Sequence, residues 1–129
     1  MNKERVQQCI EMMKKAKNLN MCYFQQGERI AKSTRQLHAC GNTACFAGYL
    51  AIAPFFRAAG GSQLPESGMP YFNNRSGGCA LAEFLDISSD LADNLVFDSD
   101  NFYYPTNFAD LKPEHVIAKL ELILEGKLK

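Results

Sequence analysis

The sequence has no apolar run of membrane-spanning length, and no apolar signal-peptide core follows the charged residues at its N-terminus. The longest uncharged apolar stretch, residues 44–56, holds about a dozen residues, whereas a helix needs roughly 20 to cross a bilayer. A secretory signal would need an apolar core of about 7–15 residues near the start of the chain. These absences predict a cytoplasmic protein that has no contact with a membrane.

Disulfide chemistry and the familiar catalytic motifs are also missing. The five cysteines are an odd number in a chain without an export signal, so we expect reduced thiols rather than a disulfide framework. There is no glycine-rich phosphate loop after a strand, no H-E-x-x-H motif and no G-x-S-x-G elbow. The prediction is therefore a protein that is not an enzyme and needs no cofactor.

Basic residues are absent between Ser76 and Leu111, an interval that holds seven acidic residues. Residues 1–57 show the opposite bias, with nine Lys/Arg against three Asp/Glu. Because the whole chain is neutral, we expect its two halves to form oppositely charged, solvated faces that attract each other. An acidic surface that binds a basic partner is the alternative.

The longest apolar stretch predicts a buried central helix over about residues 43–53. No side chain in it is charged, and a helix that is apolar on every side must be buried on every side. Pro54 is expected to kink or end this helix. Asn42 or Thr43 is expected to cap its start after a turn at Gly41. Four small residues recur at helical spacing and would let another backbone approach closely: Ala44, Ala47, Gly48 and Ala51.

The rest of the chain completes a mainly α fold. Amphipathic spacing predicts the other helices: near the N-terminus, over about 79–85 and 88–96, and from Pro113. Residues 62–78 and 98–110 are expected to be long irregular loops, with at most a minor β element. We therefore predict one helical domain over residues 1–129, a compact bundle of four to five helices around the central one.

Side chains on those two loops are the candidate contact residues for a protein partner. The aromatic candidates are Tyr71, Phe72, Phe102, Tyr103 and Tyr104, and the acidic candidates are Asp98 and Asp100. Aromatic side chains on irregular segments often anchor interfaces, and they equally often cap a small core. If they are exposed together, they form a contact site for another protein or for a second copy of the chain.

A thiol or zinc site is the first alternative. His38, Cys40 and Cys45 lie within eight residues and supply the imidazole and thiolate ligands that zinc prefers. Cys45 at a helix start could also act as a reactive thiol with His38 as its base. We expect no metal here, because a C-x4-C spacing is a poor match to zinc knuckles and Cys45 fits a buried helix position.

Contact with nucleic acid is the second alternative. The polar segment 29–35 carries three basic residues, Arg29, Lys32 and Arg35. Such a segment could contact phosphates, but basic loops are more often simply solvated. We therefore do not expect nucleic acid to be the main partner.

A nine-residue segment resembles a known signature. Residues 40–48, CGNTACFAG, resemble the pattern C-G-[ST]-x-[AG]-C-x-A-G of small uncharacterised proteins from bacteria, prophages and phages. Asn42 departs from the usual Ser or Thr, and Tyr49 stands where Trp or His often follows. The motif residues that we expect to be structural are Cys40, Gly41, Asn42, Thr43, Cys45 and Gly48.

The resemblance implies a fold and a mobile-element origin, but no reaction. Flanking pieces occur in the same order as in that family, including L-K-P-E-H-V at the start of the final helix. We therefore expect a small non-enzymatic accessory protein of phage or prophage type that binds a host or defence protein. Such a protein would act in the host cytoplasm, and a homodimer is an alternative assembly.

Overall fold

Seven helices and one small sheet form in the residues that the computed structural model describes, 1–20, 24–27, 29–96 and 111–127. The helices are α1 (Lys3–Lys14), α2 (Thr34–Cys40), α3 (Phe46–Ile52), α4 (Pro54–Ala58), α5 (Gly77–Leu85), α6 (Ser89–Val96) and α7 (Pro113–Leu124). The strands β1 (Ser62–Gln63), β2 (Pro70–Phe72) and β3 (Arg75–Ser76) form an antiparallel sheet in the order β1-β2-β3. The prediction of a mainly α fold with a minor β element is confirmed.

Helix α3 is the buried centre of the fold. All seven of its residues are buried, and it contacts α1, α4, α5, α6 and the strands β1 and β2. Pro54 ends it as predicted, because proline has no amide to continue the helical hydrogen bonds and instead occupies the first position of α4. None of the described helices has the length and hydropathy of a membrane span.

Helix α2 accounts for part of the difference between seven helices and the four to five predicted. Ser33 caps its start by accepting a hydrogen bond from the Gln36 amide at 3.1 Å. Gly41 ends it in the left-handed conformation, with φ of 77°. The basic composition around Lys32 and Arg35 predicts a loop here, because a helix of seven residues is too short to show a clear periodicity.

The predicted start of the central helix is wrong by about three residues. Residues 43–45 are extended, and α3 begins at Phe46 with Cys45 as its N-cap. The Cys45 Sγ accepts a hydrogen bond from the Gly48 amide at 3.4 Å, whereas Asn42 and Thr43, the predicted caps, lie outside the helix. Gly41 ends one helix and does not begin the next.

Helices α6 and α7 follow their sequence signals closely, whereas the three strands lie within residues 62–78, a range predicted to be an irregular loop. Ser88 Oγ accepts a hydrogen bond from the Leu91 amide at 3.2 Å and so caps the start of α6. Pro113 opens α7 as predicted, and Val116, Leu120 and Ile123 form its buried stripe. Helix α7 packs against α1, which buries Val6, Cys9, Ile10 and Met13.

Candidate functional site

The signature segment, residues 40–48, is hydrogen bonded to two other parts of the chain through its backbone. Ala44 donates to the Asn18 carbonyl at 3.0 Å and accepts from the Asn20 amide at 2.9 Å. On the other side, Thr43 and Gln26 exchange a pair of backbone hydrogen bonds of 2.8 and 3.1 Å. These hydrogen bonds pair the backbone N–H and C=O groups of the extended residues, and α3 therefore begins only after them.

Gly48 allows the backbone at Phe24 to lie directly on α3. A Cβ atom on Gly48 would overlap the Phe24 carbonyl oxygen and would lie 2.7 Å from the Phe24 carbonyl carbon. The small-residue face predicted from the sequence therefore has a specific partner, which is main chain and not another helix. Glycine is required because only a residue without a side chain leaves room for this carbonyl.

Asn42 joins the signature segment to the loop that precedes α2. Its side chain is buried, with 5 % exposure, and its Nδ2 donates to Gln25 Oε1 at 2.8 Å and to the Arg29 carbonyl at 2.6 Å. Gln25 Nε2 in turn donates to the Ala31 carbonyl at 3.1 Å, and Gln25 Oε1 also accepts from the Ala31 amide. Buried amides are stable only when they are paired, so this network fixes Gln25, Arg29 and Ala31 on the signature segment.

Cys45 has the environment of a structural residue. Its side chain is 2 % exposed, and burial raises the pKa of its thiol to about 11, although hydrogen bonds from nearby backbone amides, Gly48 first, lower it slightly. The thiol is therefore protonated at neutral pH, whereas the nucleophile and the metal ligand are thiolates. Desolvation thus outweighs the lowering of a thiol pKa that a helix N-terminus can cause.

His38 is hydrogen bonded to Tyr49 and to the end of α1. His38 Nε2 lies 3.0 Å from Tyr49 Oη and 3.3 Å from the amide nitrogen of Lys17, which donates to it. Tyr49 Oη also accepts from the Asn18 amide at 2.9 Å. Burial lowers the pKa of His38, and the charge of Lys17 lowers it further, so the neutral ring can accept these hydrogen bonds.

The three residues of the alternative thiol or zinc site thus have different surroundings. Cys45 caps α3 and His38 holds Tyr49, and the side chain of Cys40 lies outside the described part of the structure. Within the described ranges there is no group of three or more His, Cys, Asp or Glu side chains arranged to hold a metal ion. The three basic residues of the nucleic-acid alternative, Arg29, Lys32 and Arg35, are exposed.

Phe72 lies at the edge of the core. Its ring is 5.9 Å from that of Phe56 and 5.4 Å, edge to face, from that of Phe84. The Arg5 guanidinium lies 4.5 Å from the Phe84 ring centroid and donates to the Phe84 carbonyl at 3.0 Å, which covers the cluster from α1. Tyr71 is half-buried, and its hydroxyl donates to Asn74 Oδ1 at 3.2 Å. The other candidates, Asp98, Asp100, Phe102, Tyr103 and Tyr104, lie outside the described residues.

A groove along α1 has a volume of about 540 Å³. We call it the α1 groove. Its floor is apolar, formed by Met12 and by the corner between α3 and α4. Polar and charged side chains of α1 form its rim, and Thr34 of α2 also lines it. The lining residues are Glu4, Gln7, Gln8, Glu11, Met12, Lys15, Thr34, Ala53, Pro54 and Phe55.

Sequence reasoning missed the α1 groove because no single element forms it. The α1 side chains on the rim have the polar pattern of a solvated helix face, and Pro54 was expected only to end a helix. Met12 was the one available signal, since it is an apolar residue outside the buried stripe of α1.

Comparisons of this chain with protein-family models, with curated proteins and with solved structures find no match.

Proposed function

We propose that this chain is a non-enzymatic binding protein that holds a helical segment of another protein in the α1 groove. The observation that carries the proposal is an apolar floor with a polar rim, which is the usual composition of a recognition groove. An amphipathic helix binds such a groove with its apolar face down and its polar face toward the rim.

The dimensions of the groove fit a short helix. Glu4 and Lys15 lie at its two ends, and at 1.5 Å per residue they are about 16 Å apart along α1. A partner helix of about three turns spans that length and places apolar side chains at positions i, i+4 and i+7 over Met12 and Phe55. The expected partner segment is therefore short, amphipathic and apolar on one side only.

The resemblance of residues 40–48 to proteins of phages and prophages supports a narrower form of this proposal. The partner is then a host or defence protein, and the chain modulates it by occupying one of its helices or displacing another protein from it. The action would take place in the host cytoplasm. A second copy of this chain is the alternative occupant of the groove.

The α1 groove is tested by filling it. Gln8 lines the groove and is half-buried, so Gln8→Tyr places a ring over the floor without removing a core side chain. We expect this variant to keep its thermal midpoint and to lose at least about tenfold in affinity for the partner. Glu121→Tyr is the matched control, because Glu121 is an exposed helix residue outside the groove.

The measurement is affinity capture from bacterial lysate with the wild type and both variants, followed by quantitative mass spectrometry. A protein retained by wild type and Glu121→Tyr but depleted with Gln8→Tyr supports the proposal. Equal retention by all three proteins, or no retained protein while circular dichroism shows a folded chain, contradicts it. If the eluate contains a dimer of the tagged chain with an untagged copy of the same chain, the second copy is the occupant of the groove.

A further inference from the structure

A second cleft is lined in part by Lys32 and Arg57, which belong to the basic first half of the sequence. It has a volume of about 390 Å³ and is formed by Lys32 before α2, by Arg57 of α4 and by residues of β1 and its two flanks. We call it the basic cleft, and its lining residues are Lys32, Arg57, Gly61, Ser62, Gln63 and Pro65. Two cations and no carboxylate are therefore among the residues that line it.

The two walls of the basic cleft are joined by side-chain hydrogen bonds. The Arg57 Nη2 donates to the Lys32 carbonyl at 2.7 Å, and Gln63 Nε2 donates to the Ala31 carbonyl at 2.8 Å. The Lys32 amide is held as well, since it donates to Gln36 Oε1 at 2.8 Å. The backbone that carries Lys32 is thus fixed, and the Arg57 guanidinium is held by one of its five N–H groups.

The charges of the basic cleft are not neutralised within the described ranges. Neither Arg57 nor Lys32 forms an ion pair with a described residue. Between Glu11 and Glu66 the sequence contains seven Lys/Arg and a single acidic residue, Glu28. A concave surface of one charge sign concentrates its field and attracts counter-ions of the other sign.

We propose that the basic cleft binds the phosphate group of a small phosphorylated molecule. Arg57 would bind two phosphate oxygens through its remaining N–H groups, the geometry in which guanidinium and phosphate match best. Lys32 would supply the second positive charge, which suits the double charge of a phosphate monoester better than the single charge of a carboxylate. Ser62 and Gln63 add neutral polar groups to the wall.

The shape of the basic cleft favours a small ligand over a nucleic acid strand. Sites for small molecules have volumes of about 300–1,000 Å³, and this cleft falls at the lower end of that range. Such a volume accommodates one phosphate and a group of limited size attached to it. A nucleic acid strand would instead need a basic groove that follows several consecutive phosphates.

The test is a titration of the full chain with inorganic phosphate and, separately, with adenosine monophosphate, followed by amide NMR. We expect saturable shifts of Gly61, Ser62 and Gln63 with both probes. Tighter binding of the nucleotide would show that the attached group contributes, and equal affinities would identify free phosphate as the ligand. Arg57→Gln should weaken binding by at least about tenfold. Arg57→Lys should weaken it by less, because it keeps the positive charge and loses only the planar guanidinium with its paired N–H donors.

Arg75→Gln is the matched control, because Arg75 is also an exposed arginine but pairs with Glu83 at 3.6 Å outside the basic cleft. Its phosphate affinity should equal that of the wild type. The proposal is overturned if neither probe shows saturation up to about 10 mM in low salt. It is also overturned if Arg57→Gln and Arg75→Gln weaken binding equally. Binding of an oligonucleotide alone, with equal losses for Arg29→Gln and Arg57→Gln, would replace it with an extended nucleic-acid surface.

Discussion

Gly48→Ala is expected to lower the free energy of unfolding by about 3 kcal/mol, which is the upper part of the range for overpacked cores. The added methyl group would overlap the carbonyl oxygen of Phe24, and that atom belongs to the backbone. A flexible side chain could rotate away at small cost, whereas a carbonyl can move only together with the segment that carries it. The residues next to that carbonyl are held in place by the network of Gln25 and Asn42.

The direction in which Gly48→Ala changes the free energy of unfolding is as informative as the size of the change. In an ordinary helix interior, replacing glycine by alanine stabilises by about 1 kcal/mol. Ala118→Gly, at an exposed position of α7, is the control that calibrates helix propensity in this chain and should cost about 1 kcal/mol. Urea unfolding of both variants gives the comparison. A Gly48→Ala protein as stable as the wild type would show that no backbone lies on this face of α3.

Asn42→Ala is expected to lower the free energy of unfolding by about 2–3 kcal/mol, because it removes one buried and one partly buried hydrogen bond and leaves the Arg29 carbonyl without this donor. Gly27→Ala should be destabilising as well. Its added Cβ would overlap Asn42 Oδ1 and would lie 2.7 Å from Asn42 Nδ2, so the amide could no longer keep its position.

The two substitutions are expected to be strongly non-additive. Once Asn42 is truncated, the obstacle to a Cβ on Gly27 is gone, so the double variant should be about as stable as Asn42→Ala alone. Residues in direct contact show interaction energies of about 0.5–3 kcal/mol in such cycles. Urea unfolding of the four proteins measures the interaction. Additive losses would contradict the arrangement of Gly27, Asn42 and Gln25 described above.

Local signals predicted several elements of the fold correctly. The end of α3 at Pro54 and the start of α7 at Pro113 each depend on residues adjacent in sequence, so the local sequence is enough to predict them. The close approach at Gly48 could also be predicted, because small residues at helical spacing imply it. The identity of the approaching group could not be predicted, since Phe24 lies in a different segment.

Tertiary contacts explain what the sequence could not predict. Thr43 was a reasonable helix cap by residue type, yet its backbone pairs with Gln26 and so cannot enter the helix. Cys45 caps α3 instead, although cysteine is not a residue type that indicates a helix cap. The proximity of His38 and Cys45 in sequence similarly suggested a shared site as an alternative, but each side chain has its own hydrogen-bond partner.

The α1 groove and the basic cleft could not be predicted from the sequence either, because each combines residues from separate segments of the chain. The α1 groove combines a polar helix face with the Pro54 corner, and the basic cleft combines Lys32 with Arg57 across 25 residues of chain. Composition did give the sign of the field around the basic cleft, because the first half of the chain carries an excess of basic residues.

The central claim is that the signature segment has a structural role, in which Cys45 caps α3 and is not a reactive thiol. Alkylation of the native protein with iodoacetamide, followed residue by residue with mass spectrometry, tests it most directly. Cys79 is exposed and should react quickly, whereas Cys45, with its pKa of about 11 and 2 % exposure, should react only when the chain unfolds. Cys45 in the native protein reacting as fast as Cys79 would contradict the claim.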